Sequence, residues 1–291
     1  MSTFSRFAIA GAGNLGAFVA EELLNLKASG KVKEVTVLTR SSGTNSTLDK
    51  LASKGAKIAT VDYTSKASLT AALSGVDVAI STLSLGPGFE AQDAVAVAAK
   101  AAGVRLFLPS EFGNATDELT EGLLYAKTQF HARLRELGLP YLLVFTGEFT
   151  DFVFIPFVDL DINSGKVTVG GDGNTPLSWT SRTDIGRFVA HALTTLPPNE
   201  LNNKIFRIEG DRLSFNEVFK QYEAKTRKKI AVAYRSIAEL EAAVKANGAD
   251  FSSFFHLAWA QGGGLTGKKE DLANGLFPGW NPKKVIDVIA P

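Results

Sequence analysis

A repeating rhythm constrains this chain more than any single motif. Six short runs rich in branched residues recur through its first half: Arg6–Ala10 (RFAIA), Glu34–Thr39 (EVTVLT), Lys57–Val61 (KIATV), Val76–Ser81 (VDVAIS), Val104–Leu108 (VRLFL) and Tyr141–Thr146 (YLLVFT). Continuous apolar runs of this length suit central parallel strands buried on both faces. Helical patterns separate them, and several end in a glycine where a left-handed cap is wanted. Gly55 follows LDKLASK, Gly75 follows SLTAALS, Gly103 follows AVAVAAKAA and Gly138 follows QFHARLREL. Repeated βα units require right-handed crossovers, so the expected fold is α/β with a doubly wound parallel sheet.

After about Thr150 the rhythm changes. Lys166–Val169 and Leu177–Trp179 flank the turn-forming GGDGNTP, which could join two strands. Thr183 is placed to cap DIGRFVAHALTTL, a helix halted by Pro197-Pro198, and Lys204–Ile208 (KIFRI) reads as a further strand. Ser214 with Glu217, and Ser236 with Glu239, have capping-box spacing. The expected division is a nucleotide-binding domain over 1–152, with 177–208 returning to it. A smaller α+β substrate-binding cap is expected from 153–176 and 209–291.

Composition removes several classes of function. Cysteine is absent, which excludes disulfides and thiolate chemistry and favours a reducing compartment. The 31 basic and 30 acidic residues are spread without blocks, which argues against a nucleic-acid or anionic-membrane surface. No apolar stretch approaches the ~18 residues of a membrane span, and STFSRFAIA lacks the pattern of a secretory signal. The expectation is a soluble cytoplasmic protein, monomer or homodimer, with a small-molecule partner. The three histidines, His131, His191 and His256, show no metal-ligand spacing, so no metal is expected. His131 and His191 read as surface or packing residues. His256, among Phe254, Phe255 and Trp259, either lines a pocket or packs in the cap.

Gly11-Ala-Gly13-Asn14-Leu15-Gly16 fits G-x-G-x-x-G, between a strand pattern and a helix pattern. In that setting the glycines permit a tight turn and close backbone approach, so that a pyrophosphate rests on the helix N-terminus. An NAD site usually places an acid at the end of the second strand to hold the ribose diol. Here the strand ends Leu38-Thr39-Arg40-Ser41-Ser42. Arg40, with Ser41 beside it, suits a 2′-phosphate through its planar fork, which makes NADPH the expected cofactor. Asp62, after the third strand, either accepts from an adenine amino group or caps the helix beginning near Ser65.

Ligands of such sheets lie beyond the carboxyl ends of the strands. Three ends turn small and polar: Ser81-Thr82-Leu83-Ser84-Leu85-Gly86, Pro109-Ser110-Glu111-Phe112-Gly113 and Thr146-Gly147-Glu148-Phe149. Pro109 costs a strand little where its pairing is finished. In the helix LLYAKTQFHARLREL, Lys127 falls close to the stripe of Leu123, Phe130, Leu134 and Leu137. It is therefore off the solvent face and near the helix start. Desolvation and the positive helix terminus would both lower its proton affinity. The alternative is a lysine whose stem merely covers apolar surface. Neither the Tyr-x-x-x-Lys of short-chain dehydrogenases nor Gly-x-Ser-x-Gly is present.

These residues resemble the NmrA-like atypical short-chain reductases, in particular the isoflavone reductase and phenylcoumaran benzylic ether reductase branch. The likeness rests on the glycine loop with Arg40, VDVAISTLS, RLFLPSEFG, the helix bearing Lys127, GLPYLLVFTGEF, and GDGNT followed by TDIG. The resemblance implies an NAD(P)-binding Rossmann fold, NADPH, and Lys127 as the catalytic residue beside the nicotinamide. Lys127 would protonate or polarise the developing anion, or hold the nicotinamide ribose. It also implies that Phe149 packs on the nicotinamide, while the strand-end reading puts Thr82, Leu83 and Ser110 beside the cofactor. Two departures stand out. Ala10 and Gly11 replace the usual spacing of the first glycine, and the segment between Gly113 and Lys127 is shorter than in the plant reductases. Plant substrates therefore do not transfer. Of the later aromatics (Phe152, Phe154, Phe157, Trp179, Phe254, Phe255 and Trp259), each could line a flat apolar pocket, although packing is the commoner role. The expected activity is NADPH-dependent hydride transfer to a small aromatic, phenolic or conjugated carbonyl compound. The alternatives are a quinone reductase and an NADP(H)-sensing regulator without turnover.

Overall fold

The structure is a computed structural model that describes residues 4–40, 45–84 and 87–291. Its first half alternates strand and helix. β1 is Arg6–Ala10, α1 Gly16–Ala28, β2 Glu34–Thr39, α2 Ser46–Ser53, β3 Lys57–Thr60 and α3 Lys66–Ala72. β4 is Val78–Ser81, α4 Pro87–Ala101, β5 Leu106–Leu108, α5 Tyr125–Glu136 and β6 Leu142–Phe145. The first five strands form one parallel sheet in the order β3-β2-β1-β4-β5. A parallel bridge from Phe107 to Tyr141 carries pairing on towards β6. Gly55, Gly75, Gly103 and Gly138 all have positive φ, as helix-ending caps require.

Strand alternation sorts the core into two layers. Phe7, Ile9, Val35, Val37, Ile80 and Leu108 enter the layer shared with α1, whereas Ala8, Ala10, Leu38, Ala79 and Phe107 enter the layer opposite. Both faces are therefore covered, which is why the strands read as nearly unbroken apolar runs.

The second half adds β7 (Glu148–Phe149), β8 (Lys166–Gly170), β9 (Pro176–Thr180), α6 (Arg182–Thr195), α7 (Pro198–Leu201), β10 (Lys204–Arg207) and β11 (Asp211–Ser214). α8 (Phe215–Thr226), β12 (Ala231–Arg235), α9 (Ile237–Ala246), α10 (Phe251–Ala260) and α11 (Val285–Ile289) follow. β10 pairs in parallel with β6, and β9 lies between β11 and β7. A third core centres on Trp179, with Phe154 stacked on it at 5.6 Å and Phe215 edge-on at 5.5 Å. Trp179, Phe154 and Trp259 thus pack, while Phe157 is largely exposed.

GGDGNTP runs from the last residue of β8 to the first of β9 and joins the two strands without pairing them: β8 pairs with β12, and β9 with β11 and β7. The Asn216 side chain donates to the Asp172 carbonyl and to Asn174 Oδ1, which ties the turn to α8. One local expectation is corrected. The cap of α6 is Ser181, not Thr183. Its hydroxyl accepts from the Asp184 amide, and Ser181 with Asp184 has the spacing that marks a helix start. Both expected capping boxes, at Ser214 and Ser236, are formed.

α6 packs along α1, the helix that follows the glycine turn. Contact is close at Gly186, where a Cβ would lie 2.8 Å from the Phe18 carbonyl oxygen. Gly186→Ala is therefore expected to lower unfolding free energy by about 1–3 kcal/mol, the usual cost of overpacking. Urea denaturation measures it, and an unchanged midpoint would show that the two helices separate freely.

Candidate functional site

A crevice of about 930 Å³ opens along the carboxyl ends of the parallel strands. Gly11, Gly13, Asn14 and Leu15 form one stretch of its wall; Leu38, Arg40, Leu48 and Tyr63 another; and Thr82, Leu83, Ser110, Lys127 and Phe149 a third. The structure thus brings the residues expected from sequence to one place, apart from Gly16, which does not line the crevice, and Ser41, which lies outside the described residues.

The glycines divide the work. Gly11 has a φ of 93°, a turn that only glycine adopts without strain. Gly13 has no atom within 4 Å of the position a Cβ would take, so its backbone is open to the crevice. Gly16 is a packing residue: a Cβ there would strike the Gly11 carbonyl and the Thr82 hydroxyl. That hydroxyl donates to the Gly11 carbonyl at 2.7 Å, so Thr82 holds the turn in shape. The N-terminus of α1 has no side-chain cap and no acid in its first turn, leaving its amides and positive dipole end to a ligand.

At the β2 end, Arg40 is exposed at the crevice lip. Asp62 does not line the crevice. Its carboxylate accepts from the Thr64 amide and hydroxyl, and Ser65 caps α3. Its neighbour Tyr63 takes the place instead. Burial pushes the Tyr63 hydroxyl up to about 12, against the opposing charge of Arg40.

At the other end, the loop after β5 is stitched to β6. The Phe112 amide donates to the Val144 carbonyl at 2.9 Å, and the Thr146 amide donates to the Gly113 carbonyl at 2.9 Å. Gln92 of α4, itself buried, accepts from the Ser110 amide at 2.7 Å. Pro109 therefore ends a strand whose chain is held by other partners. On α5, the Lys127 side chain is only 13% exposed. Its Nζ donates to the Glu111 carbonyl at 2.8 Å and stands 3.9 Å from Glu111 Oε2. Burial pulls the Lys127 ammonium below the ordinary lysine range, and the Glu111 carboxylate acts against that.

His131, one turn further along α5, is a buried partner of this group: its Nε2 lies 2.7 Å from Glu111 Oε1. Position alone could have revealed it, since residues four apart share a helix face. His256 packs; its Nε2 donates to the Val158 carbonyl and its Nδ1 accepts from the Gly170 amide. His191 stacks on Phe277. Among the described residues no acidic, histidine or cysteine cluster could hold a metal.

Arg182 was not singled out by any sequence pattern. Its guanidinium donates to Asp151 Oδ2 and to the Asn14 carbonyl, between the rings of Phe18 and Phe152. It thereby ties the glycine turn to the segment bearing Phe149. Glu148 accepts from Trp259 Nε1 at 2.7 Å. Burial raises its carboxyl to about 7, while that bond and one from the Asn114 side chain act in the opposite direction.

Comparison with known proteins fits this geometry. The sequence profile of the NmrA-like family matches residues 6–255. The chain belongs to the NmrA-like family. It is 30% identical over 249 residues to phenylcoumaran benzylic ether reductase PT1 of Pinus taeda, covering 80% of this chain and 79% of that one. It is 32% identical over 208 residues to isoflavone reductase homolog A622 of Nicotiana glauca, covering 68% and 66%. Among solved structures, AtPrR2 with NADP+ and (+)pinoresinol superposes with a TM-score of 0.83 at 21% identity, covering 99% and 98%, a likeness of fold. No helix of this NmrA-like chain is long and apolar enough, among the described residues, to cross a membrane.

Glu148, half-buried, and Glu111, buried, each have a measurable effect on stability. A carboxyl held above its unfolded value favours the folded state only while protonated, so Glu148 costs stability as pH rises from about 4.5 to about 7. Glu148→Gln, which keeps the acceptor for Trp259, should melt higher than wild type at pH 8 and level with it near pH 5. An equal gap at both pH values would contradict the titration. His131→Phe leaves Glu111 Oε1 without its partner and should cost about 1–3 kcal/mol in denaturant titrations; full stability would show that the bond is dispensable.

Proposed function

We propose that this NmrA-like protein is an NADPH-dependent reductase of a small aromatic, phenolic or conjugated carbonyl compound, with Lys127 as its catalytic residue. One observation carries the reading: a single crevice runs from an open glycine turn and Arg40 to a desolvated lysine and Phe149. The residues present fit the cofactor. Gly13 and the uncapped start of α1 offer amides to a pyrophosphate. Arg40, with no acid beside it on the strand end, suits a 2′-phosphate. Leu38, Leu48 and Tyr63 offer apolar surface at one end, and Leu83, Phe149 and Phe152 at the other.

When bound, the reduced nicotinamide supplies a hydride. The protein's own part is positional and electrostatic. Lys127 directs an N–H towards the substrate oxygen on which charge develops, and donates its proton there. Burial weakens its hold on that proton, which eases the transfer at neutral pH. Phe89, edge-on to Phe130 of α5 at 5.6 Å, borders the crevice and suits a flat ring. The relatives named for phenylcoumaran benzylic ether and isoflavone reduction, and the neighbour holding pinoresinol, support an aromatic substrate. A desolvated amine at that end favours turnover, because a sensor that only binds the cofactor does not require one. We read 1–152 with 177–208 as the cofactor-binding domain and 153–176 with 209–291 as the cap over the substrate.

Lys127→Met should fold, bind NADPH within about threefold of wild type, and turn over about 10²–10⁴-fold more slowly. Stopped-flow absorbance with a panel of aromatic enones, quinones and phenolic ethers reads the rate, and an unchanged rate rejects the role. Arg40→Gln should weaken NADPH binding while leaving NADH binding intact; equal losses for both would place the 2′-phosphate elsewhere.

A further inference from the structure

The reductase reading uses Lys127 and leaves unexplained why a carboxylate is buried beside it. Glu111 is 4% exposed, and an ionised carboxyl is costly there unless its oxygens are satisfied. Each is. Oε1 faces His131 Nε2 at 2.7 Å, and Oε2 accepts from the Thr116 hydroxyl at 2.7 Å. Thr116 is itself held in place, because its carbonyl accepts from the Thr128 hydroxyl. Three side chains of one helix, Lys127, Thr128 and His131, therefore grip one loop residue or its support.

The loop is shaped to receive them. Phe112 has a φ of 36°, uncommon for a residue with a bulky side chain and a cost that the surroundings must sustain. The bend follows directly on Glu111, whose backbone carbonyl and carboxylate both face Lys127 Nζ, at 2.8 and 3.9 Å. One residue thus fixes the amine by its main chain and faces it with a charge by its side chain. Among the described residues, Glu111 is the charged group that bears on Lys127, and His131 is the titratable group that bears on Glu111.

We infer that Glu111 is a positioning residue that sets the charge state of Lys127, with His131 and Thr116 competing for the same carboxylate and so tuning it. This rests on the reading of Lys127 as the working amine. Its consequence has a sign. Taking away the negative charge leaves burial unopposed and favours the neutral amine, so Lys127 should lose its proton at lower pH. Taking away the Thr116 donor frees Oε2 to face the amine more fully, so Lys127 should hold its proton to higher pH.

The test is NMR titration of lysine labelled with carbon-13 at Cε, with the Lys127 signal identified by its loss in Lys127→Met. It is run on the protein without cofactor or substrate. Glu111→Gln should lower the Lys127 midpoint by about one pH unit or more, Thr116→Val should raise it, and Glu111→Asp should restore most of the wild-type value. The alkaline limb of kcat/KM should move with the midpoint, to lower pH in Glu111→Gln. A purely structural Glu111 would lower melting temperature in Glu111→Gln without moving the midpoint, and that outcome overturns the inference. Should Glu111→Gln fail to fold, an unmoved or lowered midpoint in Thr116→Val overturns it equally. If the midpoints shift as expected while Lys127→Met still turns over normally, the reductase role of Lys127 fails and the control of its charge by Glu111 stands.

Discussion

A primary amine held largely out of water at the carboxyl edge of a parallel sheet is the interaction on which the rest of this structure depends. Lys127 can sit there because α5 begins beside the loop that ends β5, and because Glu111 offers it both a carbonyl and a charge. Without those partners, burial would act unopposed and favour the neutral amine. The loop in turn depends on β6, which takes up the amide of Phe112, and on α4, where Gln92 takes up that of Ser110. The abrupt end of the Leu106–Leu108 strand is therefore a transfer of hydrogen bonding to other partners.

The opposite end of the crevice is organised by close approach. Gly16 lets α1 start against the Gly11 carbonyl, and Thr82, just past the end of the neighbouring β4, locks the turn. Arg182 then links that turn to the Phe149 segment, through Asn14 on one side and Asp151 on the other. Two stretches of chain more than a hundred residues apart are thus bonded into one wall, and a cofactor spanning them would meet a preorganised surface.

The sheet was legible in sequence because both of its faces are buried, which leaves an unbroken apolar signature, and because glycine marks the helix ends. The crevice residues were legible because strand ends in such sheets converge on one edge. Other features had weaker signals. The turn at Gly171–Gly173 resembles a hairpin, yet its two strands pair elsewhere and its bond is to Asn216, more than forty residues away. Ser181 and Thr183 both offer a hydroxyl near the start of α6, and only the spacing to Asp184 separates them. His131 read as a packing residue because its partner, Glu111, lies in a loop that helix periodicity does not describe. Tyr63 was hidden behind Asp62, the more familiar hydrogen-bonding type.

All of this converges on one spatial claim, that the reactive end of a bound dinucleotide lies against Lys127. The most direct measurement is a proton NOE experiment on the complex with NADP+, looking for transfer between the nicotinamide ring protons and the Lys127 side-chain methylenes. The account predicts a cross-peak to Lys127 together with one to Phe149. Saturable binding of NADP+ whose nicotinamide protons show contacts elsewhere and none to Lys127 would contradict it.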